Sequence, residues 1–232
     1  MLSVNDFKTA SVTCEVRHRE AYLIYDRTGH IVENLREFFT DISVTSASPP
    51  QTDFRSNEGN FTILLGASRL TCQPNTKPEN FAKYCAYFFN TTFDQLNVAV
   101  LTRIGLRHIL RRESKTLEEA KEALASLPSL SPKLAKRFNI LRPATEMMFR
   151  WEDAEIGAVV RLRAETVEIK VTTAPPELQE EVRKFEKRVH GLTLDIDYYT
   201  VAPVERDQWN PEEWVAEKMR VIRKEAEGML QG

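Results

Sequence analysis

Residues 98–112, V-A-V-L-T-R-I-G-L-R-H-I-L-R-R, constrain the fold more than any other stretch, because they read as one long strand with two chemically different faces. Side chains alternate along a strand, so Val98, Val100, Ile104, Leu106 and Leu110 share an apolar face with Thr102 and His108. Arg103, Gly105, Arg107 and Arg111 share the other. A nearly continuous apolar side, with helical patterns before and after it to supply cover, places this strand inside a sheet and not at its edge.

The remaining chain reads as ordinary globular protein, with 42% hydrophobic and 28% charged residues among 232. Cys14, Cys72 and Cys85 form no C-x-x-C pair and no zinc spacing, and each sits among core-type residues, which points to buried thiols in a reducing cytoplasm. The first residues lack a basic region followed by an apolar run, and no segment approaches the roughly 18 uninterrupted apolar residues of a membrane helix. The expectation is a chain neither exported nor embedded. Net charge is -2, yet residues 101–150 hold 11 Lys or Arg against 5 Asp or Glu, so an acidic partner would meet the middle of the chain.

Alternation predicts a strand at 11–18, extended or paired through 21–25, then a helix after Gly29 carrying Ile31, Leu35, Phe38 and Phe39. A weak strand at 42–45, a polar loop at 46–60 and one strand at 61–72 follow. Thr76 to Glu79 has the form of a capping box for a helix to about residue 95, with Phe81, Tyr84, Cys85, Phe88 and Phe89 on its core face and Tyr87 and Phe93 off it. A second capping box, Thr116 to Glu119, opens a helix with Leu117, Ala120, Leu124 and Leu127 inward. A short helix at 131–138 and a turn at Arg142-Pro143 lead to strands at 145–151, 156–164 and 167–173, with turns at Asp153-Ala154 and Glu165-Thr166. Pro175-Pro176 opens a helix with Leu178, Val182, Phe185 and Val189 in one stripe and Gly191 as its cap, followed by a strand at 192–199. Asn210-Pro211 begins the last helix, with Trp214, Val215, Ile222, Ala226 and Met229 on one side.

This order predicts an α+β protein of antiparallel sheets with crossover helices. Its first half, 1–113, follows the split βαβ pattern of ferredoxin-like folds. Residues 114–143 form a helical connector, and 144–232 a related β-β-β-α-β-α unit. The strand Arg103 to Leu110, R-I-G-L-R-H-I-L, together with the aromatic helix before it and the L-D-I-D-Y strand from Leu194 to Tyr198 before a closing helix, resembles a family. This is the sporadically distributed, functionally uncharacterised bacterial family that carries an R-I-G-L-R-Y-I-N-like strand. The resemblance spans most of the chain and implies its fold and boundaries but no activity. His108 and Leu110 stand where the family pattern has Tyr and Asn, so a ligand held by those polar groups would be lost or changed here.

Arg103, Gly105, Arg107 and Arg111 form a candidate surface for an anion or a partner, since guanidiniums offer planar donor forks and Gly105 leaves room at the backbone. Cross-strand carboxylates pairing with the arginines, with Gly105 relieving crowding, is the bland alternative. His108, Asp195, Asp197 and Tyr199 form a possible polar site. Asp195 and Asp197 would need a third acid to hold a divalent metal, none is placed by the sequence, and Arg161 and Arg163 are natural partners for them. No G-x-S-x-G, phosphate-cradling or dinucleotide-binding motif occurs, so no catalytic residue, metal or cofactor is expected. The function expected is non-catalytic binding, of another protein or of a second copy. Nucleotide or nucleic-acid binding through the arginine strand is the alternative, and an enzyme with an unfamiliar carboxylate site comes third.

Overall fold

The computed structural model of the chain describes residues 2–48, 50–72, 76–127, 145–169 and 187–231. In chain order its elements are β1 (Lys8–His18), α1 (Ile24–Arg36), β2 (Ser43–Ser48), β3 (Gln51–Arg55), β4 (Gly59–Leu64), β5 (Ala67–Cys72), α2 (Pro78–Leu96) and β6 (Val100–Ser114). They continue with α3 (Leu117–Ala125), β7 (Glu146–Glu152), β8 (Ile156–Ile169), β9 (Lys187–Thr200), β10 (Val204–Glu205) and α4 (Pro211–Gln231). The protein is α+β. One antiparallel sheet runs β2-β3-β4-β5-β1-β6-β9-β8-β7, with β10 joined to the start of β6.

β6 is the strand expected, two residues later at each end, and it lies inside the sheet between β1 and β9. A register irregularity near Arg17 brings Leu101 into line with Ile104, Leu106, His108 and Leu110 on the buried side. Phe61, Leu70, Cys14, Leu106, Tyr198 and Ala158 then form one buried row across six strands. Over this face lies α2. Its Phe81, Phe88, Phe89 and Phe93 are at most 1% exposed, each such ring stabilising the fold by roughly 1.5–3 kcal/mol. Phe88 meets Phe61, and Phe89 and Phe93 meet Trp209 just before α4. Tyr87, off the main face, finds a second partner: it stacks on Phe38 and donates to the Asn34 carbonyl at 2.9 Å, whereas Phe93, expected off that face, belongs to it and also meets His18 edge-on.

Several boundaries differ from the pattern reading. The A-Y-L-I-Y run that resembles a strand instead enters α1, which starts at Ile24 because Ile24, Ile31 and Leu35 recur on one buried stripe. Residues 46–60 are not a loop: Thr52 and Phe54 alternate inward on β3, which pairs with β2 and β4. Residues 61–72 are a hairpin folded at Leu65-Gly66. α2 is capped by Lys77 with Pro78 in its first turn, without the expected Thr76 box, whereas Thr116 does accept from the Glu119 N–H at 3.1 Å. No turn occurs at Glu165-Thr166, since nothing there breaks a β-branched run and β8 stays paired with β9 to Ile169. Val189 and Gly191 belong to β9, not to a helix. The helix expected from Pro175, the short helix at 131–138 and the turn at Arg142-Pro143 fall outside the described residues. The Asp153 turn and the Asn210 cap are as expected: Asp153 accepts from the Glu155 and Ile156 N–H groups and Asn210 from those of Glu212 and Glu213. Among the described residues no helix is long and apolar enough to cross a membrane.

His108 lies on the apolar side, 7% exposed, with Nε2 against the Thr9 hydroxyl at 3.0 Å. Burial and then the nearby Arg223 charge push its pKa down to about 4, and burial lowers that of His18 too. Between the ordinary value of 6.5 and about 4, the unfolded chain takes up protons that the folded chain does not. The part of the stability that rests on a neutral His108 is therefore fully present above pH 6.5 and is lost as pH drops through that window, about 3 kcal/mol in all. Denaturant titrations of the parent and of His108→Gln at pH 7 and pH 4.5 should show a smaller acid loss in the variant. An equal loss in both would refute the assignment.

Candidate functional site

The side of the sheet opposite the core carries charge, and the alternation of β6 aims Arg103, Gly105, Arg107 and Arg111 onto it. Neighbouring strands add Thr13, Glu15 and Arg17 from β1, Arg69 from β5, Thr193, Asp195, Asp197 and Tyr199 from β9, and Arg161 from β8. Arg107 donates from Nε and Nη2 to the two oxygens of Asp195, both at 2.8 Å. Arg103 donates from Nη2 to Asp197 at 3.1 Å. Both bonds run diagonally, since Arg107 stands directly opposite Asp197. Arg111 reaches the Thr193 hydroxyl at 3.5 Å.

The two ion pairs are not equal. The Asp195 side chain is 6% exposed, while its partner Arg107 is 50% exposed, so a carboxylate with little access to water relies on a guanidinium at the surface. The Asp195 hydrogen bond in turn holds the Arg107 pKa above its ordinary value. Arg103 also stacks over the Tyr199 ring at 4.4 Å. That ring lies across Gly157, where a Cβ would come within 2.6 Å of it, and its hydroxyl donates to Glu152 at 2.9 Å.

Gly105 stands at the centre, between Glu15 on β1 and Tyr199 on β9. A Cβ here would meet nothing nearer than the Glu15 carbonyl at 3.6 Å, so crowding does not require glycine. What its missing side chain leaves is the floor of a concavity of about 350 Å³, bounded by Thr13, Glu15, Arg17, Arg69, Thr71, Arg103, Arg107 and Asp197. A second hollow of about 210 Å³ adjoins it and adds Arg161 and Asp195. Together they gather five guanidiniums against three carboxylates. Burial alone would raise the Glu15 pKa, but the hydrogen bonds and charges of Arg69 and Arg17 outweigh it and hold the carboxyl below its ordinary value. Arg161 is exposed and has no carboxylate within ion-pair distance among the described residues. Each guanidinium has five N–H donors, so many remain open to an incoming acceptor.

The structure thus brings Arg103, Gly105, Arg107, Asp195, Asp197 and Tyr199 to one surface, with Arg111 toward its end. It separates His108 from them, because His108 has the opposite parity on β6 and is buried under the helix layer. Asp195 and Asp197 are engaged by Arg107 and Arg103, from the β6 side and not from Arg161 and Arg163. Among the described residues no group of three His, Cys, Asp or Glu is placed to hold a metal. Glu15, Arg17 and Arg69 were missed. Alternation in β1 shows Glu15 and Arg17 facing outward, but only the pairing register reveals that they border Gly105.

The unequal burial sets an order of mutational cost. Arg107→Ala should destabilise by about 1–3 kcal/mol because it strands Asp195, and Arg103→Ala by less than about 1 kcal/mol because Asp197 can rehydrate. Chemical denaturation of both variants checks this, and a reversed order would contradict it. No protein-family model matches this chain and no curated protein is similar to it in sequence, so the surface is interpreted from its own geometry.

Proposed function

We propose that this chain is a non-catalytic binding protein whose charged sheet face receives carboxylate side chains of a partner protein. The observation that carries this reading is the excess of guanidiniums around a floor that glycine keeps open without steric need. Three carboxylates are set among the arginines, and such a mosaic suits a protein surface of mixed charge. It suits a nucleic-acid strand less, because a phosphate at every nucleotide would meet Glu15, Asp195 or Asp197. Tyr199, beside the hollow and not in its lining, already carries the Arg103 guanidinium over its ring, where a base would have to stack.

The reading includes a ferredoxin-like unit of β1, α1, β4, β5, α2 and β6, with β2 and β3 inserted. Its support is the strand order β4-β5-β1-β6, in which α2 connects β5 to β6 across β1. It also includes a cytoplasmic setting, supported by three free and buried thiols, of which Cys72 is pushed up to about 12 by burial. Membership of the R-I-G-L-R-Y-I-N family belongs to the same reading and rests on Arg103 to Leu110.

Calorimetric titration with a glutamate-rich peptide, inorganic phosphate and a short single-stranded oligonucleotide tests the proposal. The peptide should bind, more weakly as salt rises. Gly105→Ala, which fills the floor, and Arg161→Ala should each reduce binding roughly fivefold or more while changing stability by less than about 0.5 kcal/mol. Tighter binding of the oligonucleotide would favour the nucleic-acid reading instead, and no binding of any anion would leave the face as sheet architecture.

A further inference from the structure

Among the described strands the sheet ends at β2 on one side and at β7 on the other, and the two ends differ in kind. β2, S-V-T-S-A-S, is mostly small and polar, and a register irregularity between Val44 and Ser46 interrupts its pairing with β3, a common way of blunting an edge. β7, E-M-M-F-R-W-E, pairs with β8 without interruption and exposes Met148, Phe149 and Trp151 at 58%, 42% and 39%. An uninterrupted edge that exposes large apolar side chains is a template for another strand, and its charges then choose the partner and register.

The backbone shows which groups that edge offers. Ala164 N–H donates to the Thr145 carbonyl and Asp153 N–H to the Ile156 carbonyl, each at 2.9 Å, at the two ends of the β7–β8 ladder. Bonded and non-bonded pairs alternate in an antiparallel ladder, so Met147, Phe149 and Trp151 turn their N–H and C=O groups toward β8. Glu146, Met148, Arg150 and Glu152 turn theirs outward. These same four side chains lie on the charged face, whereas Phe149 and Trp151 lie on the core face at its rim.

We propose that two copies of this chain join by antiparallel pairing of β7 with β7 about a two-fold axis at Met148. The side chains select this register. Centred on Phe149, the pair would set Glu146 against Glu152 twice, and centred on Arg150 it would set that arginine against itself. Centred on Met148, it sets Glu146 opposite Arg150 twice and Met147 opposite Phe149 twice, so charges match and the exposed ring gains apolar cover. All the outward-facing backbone groups of Glu146, Met148 and Arg150 find partners in this arrangement. The surface is separate from the concavity around Gly105, and neither proposal depends on the other.

Sedimentation or light scattering of the full chain over a concentration series, with the single variants Glu146→Arg and Arg150→Glu, provides the test. The parent should dimerise, and each single variant should dimerise roughly tenfold more weakly or not at all, because like charges then face each other twice. An equimolar mixture of the two variants should form a heterodimer, since every opposed pair is again Arg with Glu. Melting curves confirm that both variants are folded. A parent that stays monomeric at every concentration, variants that dimerise as the parent does, or a mixture of folded variants that fails to associate would each overturn the proposal.

Discussion

The backbone of β6 is hydrogen-bonded on both sides, to β1 from Lys8 to His18 and to β9 from His190 to Tyr199. With both edges engaged, its side chains have only the two faces of the sheet, and the sequence assigns one to the core and the other to charge. Ile104, Leu106 and Leu110 anchor the helix layer, while Arg103 and Arg107 bring the Asp197 and Asp195 carboxylates of β9 to the same surface as Glu15 of β1. The expected halves of the chain are consequently parts of one hydrogen-bonded sheet that share this strand.

The charged face combines internal neutralisation with open donors. Cross-strand carboxylates take part of the Arg103 and Arg107 forks, which fixes those guanidiniums in place and limits their mutual repulsion. A row of arginines without such partners would be held apart by its own charge, and one fully matched by acids would have little left to offer. Five against three lies between those limits. The Tyr199 ring, lying against Gly157 and under Arg103, helps to hold the Arg103 guanidinium in place beside the concavity.

What was legible in the sequence was local. The two faces of β6, the Thr116 and Asn210 caps and the aromatic side of α2 depend on periodicity or on neighbours a few residues away, and these are preserved in the fold. The approach to α1 is ambiguous in sequence, because Ala21 to Tyr25 suits a strand as well as a helix and only packing against α2 decides between them. At Glu165-Thr166 charge resembles a turn signal, whereas in the fold Gly191 and His190 of β9 stand across from those residues and keep β8 extended. The union of Glu15, Arg69 and Gly105 was out of reach for a different reason. It depends on how distant strands slide against one another, and a shift of one residue would have turned Glu15 to the other face.

Because β9 comes from the far end of the chain, β6 has one open edge until residues beyond 190 have been synthesised. A long strand with a nearly continuous apolar side would in that interval be a hazard on the ribosome, ready to pair with a neighbouring nascent chain. Arg103 and Arg107 would then serve as gatekeepers, their unpaired charges repelling a second copy of the same strand until Asp197 and Asp195 arrive to meet them. The same residues would thus keep the nascent sheet soluble before they serve the finished surface.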